Sequence, residues 1–187
     1  MKLLVIVGST RPGRAGRPIA DWVVEQARHH GGFDVELADL AEIDLPLFDE
    51  PIHPSQARYE HQHTKDWSAQ VAAADAFVFV MPEYNPSYNA ALKNAIDYLN
   101  REWAYKPVGL VSYGGVSGGL RAVQAIKPVV SALRMTPAVD AVTVPMVGSM
   151  VRDGAFHPTE IVESSAKLML DELVKLAGAL RPLREVA

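Results

Sequence analysis

The residues best equipped for chemistry fall in three short stretches. The first is Gly8-Ser9-Thr10-Arg11-Pro12-Gly13-Arg14-Ala15-Gly16-Arg17, which runs into a helical pattern. A helix start presents free N–H groups and partial positive charge, so it attracts anions. Ser9 and Thr10 add hydroxyl donors, and Arg11, Arg14 and Arg17 add charge suited to a phosphate dianion. The glycines let the backbone approach a ligand closely. Neither G-x-G-x-x-G nor G-x-x-x-x-G-K-[ST] is present, so the pyrophosphate-cradling patterns are missing. Hydroxyls and arginines suit a terminal monophosphate instead. The plainer alternative is a basic surface turn.

The second stretch is Met81-Pro82-Glu83-Tyr84-Asn85-Pro86-Ser87-Tyr88-Asn89. Its prolines stiffen it, its tyrosines supply flat faces, and its amides can meet the hydrogen-bonding edge of a planar ring. A proline-rich turn with locally packed tyrosines is the competing reading. The third is Ser112-Tyr113-Gly114-Gly115-Val116-Ser117-Gly118-Gly119. Glycines at this density after a buried strand let backbone lie against a ligand and point N–H dipoles at it. A mobile linker is the alternative.

Other residues read more simply. Asp39 is expected to be an ordinary strand-end polar residue. His53, His61 and His63 lie in a long loop, about 45–66, and read as solvated rather than zinc-binding, since no third ligand is suitably spaced. That loop covers the ligand or reaches a partner, as long loops often do. Lys93 and Asp97 stand four apart and can pair on a helix surface. Trp22, Trp67 and Trp103 read as core or interface anchors. Residues 146–158 are a candidate flap.

The elements that must position these stretches alternate. Strands are expected at Lys2–Val7, Phe33–Ala38, Ala76–Met81, Val108–Ser112 and Ala138–Val144, several of them apolar throughout, as in strands buried on both faces. Helical stripes run from Pro18 through Ala27, from Leu92 to Leu99, from Leu120 to Leu133 with Pro128 expected to kink it, and from Ile161 to Leu180 behind a Thr159 cap. A further helix is expected within about 56–73. This alternation predicts a single α/β domain, 1–187, with a five-stranded parallel sheet between two helical layers. The order 2-1-3-4-5 then opens a crevice where the winding reverses, beside the loops after strands one, three and four. Those loops are the three stretches above.

Composition removes several classes of function. Among 187 residues there is no cysteine, which excludes disulfides, thiol nucleophiles and thiolate metal sites. With 22 acidic against 18 basic residues the net charge is −4, which does not favour nucleic acid. The apolar N-terminus is too short to span a membrane and has no cleavage site, so a cytoplasmic protein is expected.

Gly8-Ser9-Thr10-Arg11, Pro82-Glu83-Tyr84-Asn85, Leu92-Lys93-Asn94-Ala95-Ile96-Asp97-Tyr98 and Ser112-Tyr113-Gly114-Gly115-x-Ser117-Gly118-Gly119-x-Arg121 together resemble the NADPH-dependent FMN reductase family. That family also takes in quinone, azo-dye and chromate reductases. The resemblance implies a flavodoxin-like fold with FMN as cofactor and NADPH or NADH as donor. Its acceptor is a small molecule: free flavin, quinone, azo compound or metal oxyanion. It implies phosphate contacts from Ser9 and Arg11, helped by Arg17 and backbone N–H groups. Pro82, Glu83, Tyr84 and Asn85 would line the isoalloxazine, with Ser112, Gly114 and Gly115 along another edge. Thr10, Arg14, Gly16, Tyr113 and Ser117 complete the expected binding set. Many members carry Ser and Asn where this chain has Arg14 and Gly16. A homodimer or homotetramer packed through the Leu92–Leu99 helix is implied, with a role across subunits open to Lys93 and Asp97. Hydride chemistry at flavin N5 needs no catalytic side chain and no metal, and a ping-pong cycle is expected. The alternatives are a non-enzymatic FMN electron shuttle, which the lack of an acidic run speaks against, and a redox-sensing flavin module.

Overall fold

A computed structural model describes residues 1–184; the last three positions of the expected 1–187 domain lie outside the described residues. Four strands form the body of a parallel sheet: β1 (Lys2–Val7), β2 (Asp34–Asp39), β3 (Ala76–Pro82) and β4 (Pro107–Tyr113). Their order is β2-β1-β3-β4, with the fifth strand position beyond β4, so the predicted 2-1-3-4-5 winding is present. Leu3–Val7 and Ala76–Met81 have no exposed surface, which is why these runs are apolar at every position.

Alternate side chains along β1 enter different layers. Leu3, Val5 and Val7 pack with Ile19 and Val23 of α1 (Gly16–His30) and Met169 and Leu173 of α7 (Glu160–Arg184). Leu4 and Ile6 join the opposite layer. There they meet Trp67 of α3 (Gln62–Ala73), Leu92 and Ile96 of α4 (Ala90–Asp97), and Val123 and Ile126 of α5 (Leu120–Ala132). Trp67 and Trp103 are core residues; their indole N–H groups donate to the carbonyls of Ala95 (2.9 Å) and Ile96 (3.2 Å). Helix α5 continues past Pro128 to Ala132. Thr159 stands at the start of α7, its Oγ1 3.5 Å from the Val162 nitrogen.

The expected strand Ala138–Val144 is corrected. The chain pairs with β4 in two pieces, β5 (Thr136–Pro137) and β6 (Val142–Val144). Pro137 has no N–H for a ladder. Beyond it the N–H groups of Val139 and Asp140 donate to Glu172 Oε2 of α7, at 3.0 and 3.2 Å. The detour turns Val139 outward. The acceptor comes from far along the chain, so local alternation carries no sign of it.

The 45–66 loop docks on α4. Asn94 accepts from the Phe48 N–H and donates to the Pro46 carbonyl, and the Tyr98 hydroxyl also reaches Pro46. His61 and His63 stack on each other, and His63 Nε2 lies 3.0 Å from Asp49 Oδ1. No metal-binding group of His, Asp or Glu occurs among the described residues. Residues 146–158 form a short helix α6 (Val147–Met150) and a hairpin of β7 (Val151–Arg152) and β8 (Ala155–Phe156), which seats Phe156 edge-on against Trp22. No helix among the described residues is long and apolar enough to cross a membrane.

Lys106 closes α3 from below: its buried ammonium donates to the carbonyls of Val71 and Ala72 at 2.9 and 3.0 Å. Burial pulls its pKa down to about 8, so the folded chain releases this proton before the unfolded chain does. Stability therefore rises with pH between about 8 and 10.5. Burial raises the phenols of Tyr59, Tyr98 and Tyr113, which ionise more readily once unfolded, so stability falls again above about 10. Urea midpoints across this range should show a shallow maximum, and Lys106→Met should abolish its rising limb.

Candidate functional site

The loops after β1, β3 and β4 meet at the carboxyl ends of the strands, around a cleft of about 140 Å³. Ser9, Arg11, Arg14 and Ala15 line it from the first loop, Pro82, Glu83 and Tyr84 from the second, and Tyr113 and Gly114 from the third. Val147 of α6 closes one side.

Helix α1 begins with Ala15 at its cap, which offers no side-chain acceptor, and its first turn carries no acid. Its leading N–H groups thus keep the positive end of the helix undischarged beside the cleft. Ser9 is buried, with Oγ 3.3 Å from the Tyr84 hydroxyl. Arg11 is exposed and has no ion pair among the described residues.

The other two arginines already carry ion pairs. Arg14 Nη2 donates to Asp39 Oδ2, and Arg17 Nη1 reaches the same oxygen at 3.2 Å and Glu42 at 2.7 Å. Arg17 Nε bonds Asp21 as well. Asp39 Oδ1 accepts from the Ala41 N–H and so caps α2 (Leu40–Ile43). Asp39 is the strand-end polar residue the sequence suggested, the last of β2, and it is also a buried junction. Arg14 still lines the cleft, whereas Arg17 faces the acids and Thr10 faces a neighbouring depression.

Gly16 has a specific reason. A Cβ there would stand 2.6 Å from the Tyr113 hydroxyl. That hydroxyl is buried and has no partner, and Asn89 Oδ1 is in the same condition. Asn89 donates to the Gly8 carbonyl at 2.6 Å, tying the second loop to the first. Sequence reading did not single out Asn89; its place just before the Leu92 stripe was the available signal.

The third loop is built on Glu83. Its carboxylate accepts from Ser117 Oγ, from the Arg121 N–H at 3.1 Å and from Arg121 Nε at 2.7 Å. Burial opposes its ionised form, but the Arg121 guanidinium and the Ser117 hydroxyl outweigh that and hold the carboxyl below its usual range. Ser112 Oγ donates to the Gly118 carbonyl at 2.9 Å. Glu83, Ser117 and Ser112 therefore shape the loop. Gly115 has open space where a Cβ would sit, and Asn85 adopts a left-handed φ of 45° at the turn tip. The carbonyls of Gly114 and Gly115 accept from Val147 and Met146, strapping residues 146–150 to the loop. Nothing in local sequence pointed to that strap.

Known proteins resemble this chain in sequence and in fold. An NAD(P)H-dependent FMN reductase of Schizosaccharomyces pombe is 45% identical over 148 residues, covering 77% of this chain and 74% of its own. An NADPH azoreductase of a Bacillus species is 30% identical over 188 residues, covering 100% and 96%. Among solved structures, a flavoenzyme NAD(P)H:(acceptor) oxidoreductase from Paracoccus denitrificans superposes with a TM-score of 0.73 at 21% identity, covering 93% of this chain and 97% of that one. A flavodoxin of Streptococcus pneumoniae gives 0.59 at 16% identity, covering 92% and 98%. Those two likenesses establish the flavodoxin-like fold. Residues 1–148 match the family described as NADPH-dependent FMN reductase, and the chain belongs to that family.

Proposed function

We propose that this chain is an NAD(P)H-dependent reductase that holds FMN in the three-loop cleft and serves a small acceptor: free flavin, quinone, azo compound or metal oxyanion. The observation that carries the reading is an uncapped helix start flanked by Ser9 and by Arg11, which has no ion pair among the described residues, at a cleft whose lining includes the buried, partnerless Tyr113 hydroxyl. These features fit a phosphate bearing a polar chain. Ser9, Arg11, Arg14 and the first N–H groups of α1 would take the phosphate. The Tyr113 hydroxyl would bond a hydroxyl beyond it. Pro82, Tyr84 and Gly115 offer the flat, sparsely substituted surface that suits a ring. Bound FMN supplies two-electron transfer between nicotinamide and acceptor.

The chain's own residues orient and enclose. No side chain at the cleft is poised as an acid or base: the Glu83 carboxylate is engaged by Arg121 and Ser117, and burial holds the Tyr113 phenol in its protonated form. A cleft of about 140 Å³ is well below the roughly 300–1,000 Å³ of a complete cofactor pocket. This supports a site completed by a second subunit, in a homodimer or homotetramer. Donor and acceptor would use the one opening in turn. Reduced nicotinamide is supplied in the cytoplasm, where we place the protein.

Titrating the purified chain with FMN and following flavin fluorescence tests the reading. Saturable quenching at one FMN per chain is expected, as is bleaching of the bound visible band by NADPH or NADH. Intersecting rather than parallel double-reciprocal plots would overturn the alternating order. Binding without turnover toward any acceptor class would favour a shuttle or sensor.

A further inference from the structure

A second, larger concavity lies at the other pole of the sheet, where the strands begin. It measures about 910 Å³ and is bordered by the approaches to β4 and β5 and the final turns of α3, α5 and α7. It shares no lining residue with the three-loop cleft. Five cations line it, Arg101, Lys106, Arg134, Arg181 and Arg184, against two acids, Asp75 and Glu102. A positive surplus here is conspicuous in a chain of net charge −4.

Part of this charge answers the helix ends, since cations offset the negative C-termini gathered at this pole. Lys106 does so on α3. Arg181 and Arg184 stand in the last turn of α7 and do so there, and Arg101 Nε donates to the Ser55 carbonyl at 2.9 Å. Arg184 pairs with Asp75 at 3.1 Å. Glu102 accepts from the hydroxyls of Tyr59 and Ser68 and from the Asn100 N–H, not from a cation. Arg101, Arg134 and Arg181 therefore have no carboxylate partner among the described residues.

The backbone adds a second, independent observation. Tyr105 adopts a left-handed φ of 58°, which side-chain-bearing residues seldom do; Arg134, at 61°, ends α5, its N–H donating to the Ser131 carbonyl and that of Met135 to the Val130 carbonyl, both at 3.0 Å. They are clasped together: the Tyr105 N–H donates to the Arg134 carbonyl at 2.9 Å, and the guanidinium lies 5.7 Å from the phenol ring centroid. Strain of this kind persists where surrounding structure imposes it, and it gathers at ligand sites. Here it presents an aromatic face and a guanidinium on one wall. The volume lies within the range of small-molecule sites.

We propose that this pole binds a nucleoside phosphate, its phosphates met by Arg101, Arg134 and Arg181 and its base laid against the Tyr105 side of the cleft. The surplus charge selects phosphate and the aromatic wall selects a planar base, so each half of the ligand adds affinity.

Calorimetry on the FMN-saturated protein at low salt, with ADP, inorganic pyrophosphate and adenosine as probes, tests this. ADP should bind with a Kd below about 1 mM, weakening as salt rises. Pyrophosphate and adenosine should each bind about tenfold or more weakly than ADP, since stacking and charge both contribute. The double variant Arg134→Glu, Arg181→Glu should weaken ADP by about a hundredfold and leave FMN affinity unchanged. In the unmodified protein, ADP should slow amide exchange in residues 101–106 and 131–136. This readout stands whether or not the variant folds. Absence of ADP binding, pyrophosphate binding as tightly as ADP, or protection confined to residues 9–17 and 112–119 would overturn the proposal.

Discussion

Changing Arg11 to Glu is expected to raise the Kd for FMN by about two orders of magnitude while leaving the flavin-free fold intact. Arg11 is the one first-loop arginine without an ion pair among the described residues. Arg14 and Arg17 are already held by Asp39, and Arg17 by two further acids. A charge-assisted hydrogen bond to phosphate is worth about 1.5–3 kcal/mol, and reversing the sign adds repulsion at the same place. Each 1.4 kcal/mol is about tenfold in affinity. Arg17→Ala should cost far less, because its guanidinium faces the acids. Fluorescence titration of both variants at two salt concentrations decides the matter, with the melting temperature of each flavin-free protein as control. Arg11 is exposed, so that temperature should move by only about 1 °C. An unaltered Kd for Arg11→Glu would remove this residue from the phosphate site.

Gly119→Val should lower the melting temperature by roughly 10 °C. Gly119 has φ of 86°, and an added Cβ would stand 2.7 Å from Ser112 Cβ and 2.8 Å from the Tyr113 nitrogen. The left-handed conformation alone costs a side-chain-bearing residue about 1–2 kcal/mol. The crowding is against backbone and a fully buried strand end, which cannot yield, and overpacking of that kind adds about 1–3 kcal/mol. For a chain of this size each kcal/mol is about 2–4 °C. Gly115→Ala, where nothing approaches the added carbon, should melt near the parent temperature and still weaken FMN. Thermal melts of the two variants side by side separate the glycine that builds the loop from the glycine that leaves room on it. Equal melting temperatures would refute the distinction.

The layers of the fold were readable because burial on both faces forces apolar residues along Leu3–Val7 of β1 and throughout β3. The convergence of three loops followed from strand order alone. What escaped notice depended on partners distant in sequence. Glu172 interrupts the fifth strand from α7. Asp39 takes two arginines that, read locally, belong to an anion. Glu83 reads as a ring contact in its own loop, yet its carboxylate is spent on Ser117 and Arg121, more than thirty residues away. Charge in a loop is visible in sequence; which counter-charge claims it is decided by packing. The same holds for Asn89. Its amide matters only because Gly8 lies beside it.

Helix α1 opens on an alanine, so its first turn lacks the side-chain oxygen that ordinarily steadies such a start. An anion seated there would do the missing work, and occupancy and folding would become a single linked equilibrium. Chains made when flavin is scarce would then fray first near residues 10–17, where a protease can reach them. Vitamin supply would in that way govern how long each copy of the protein lasts, before it governs how fast any copy turns over.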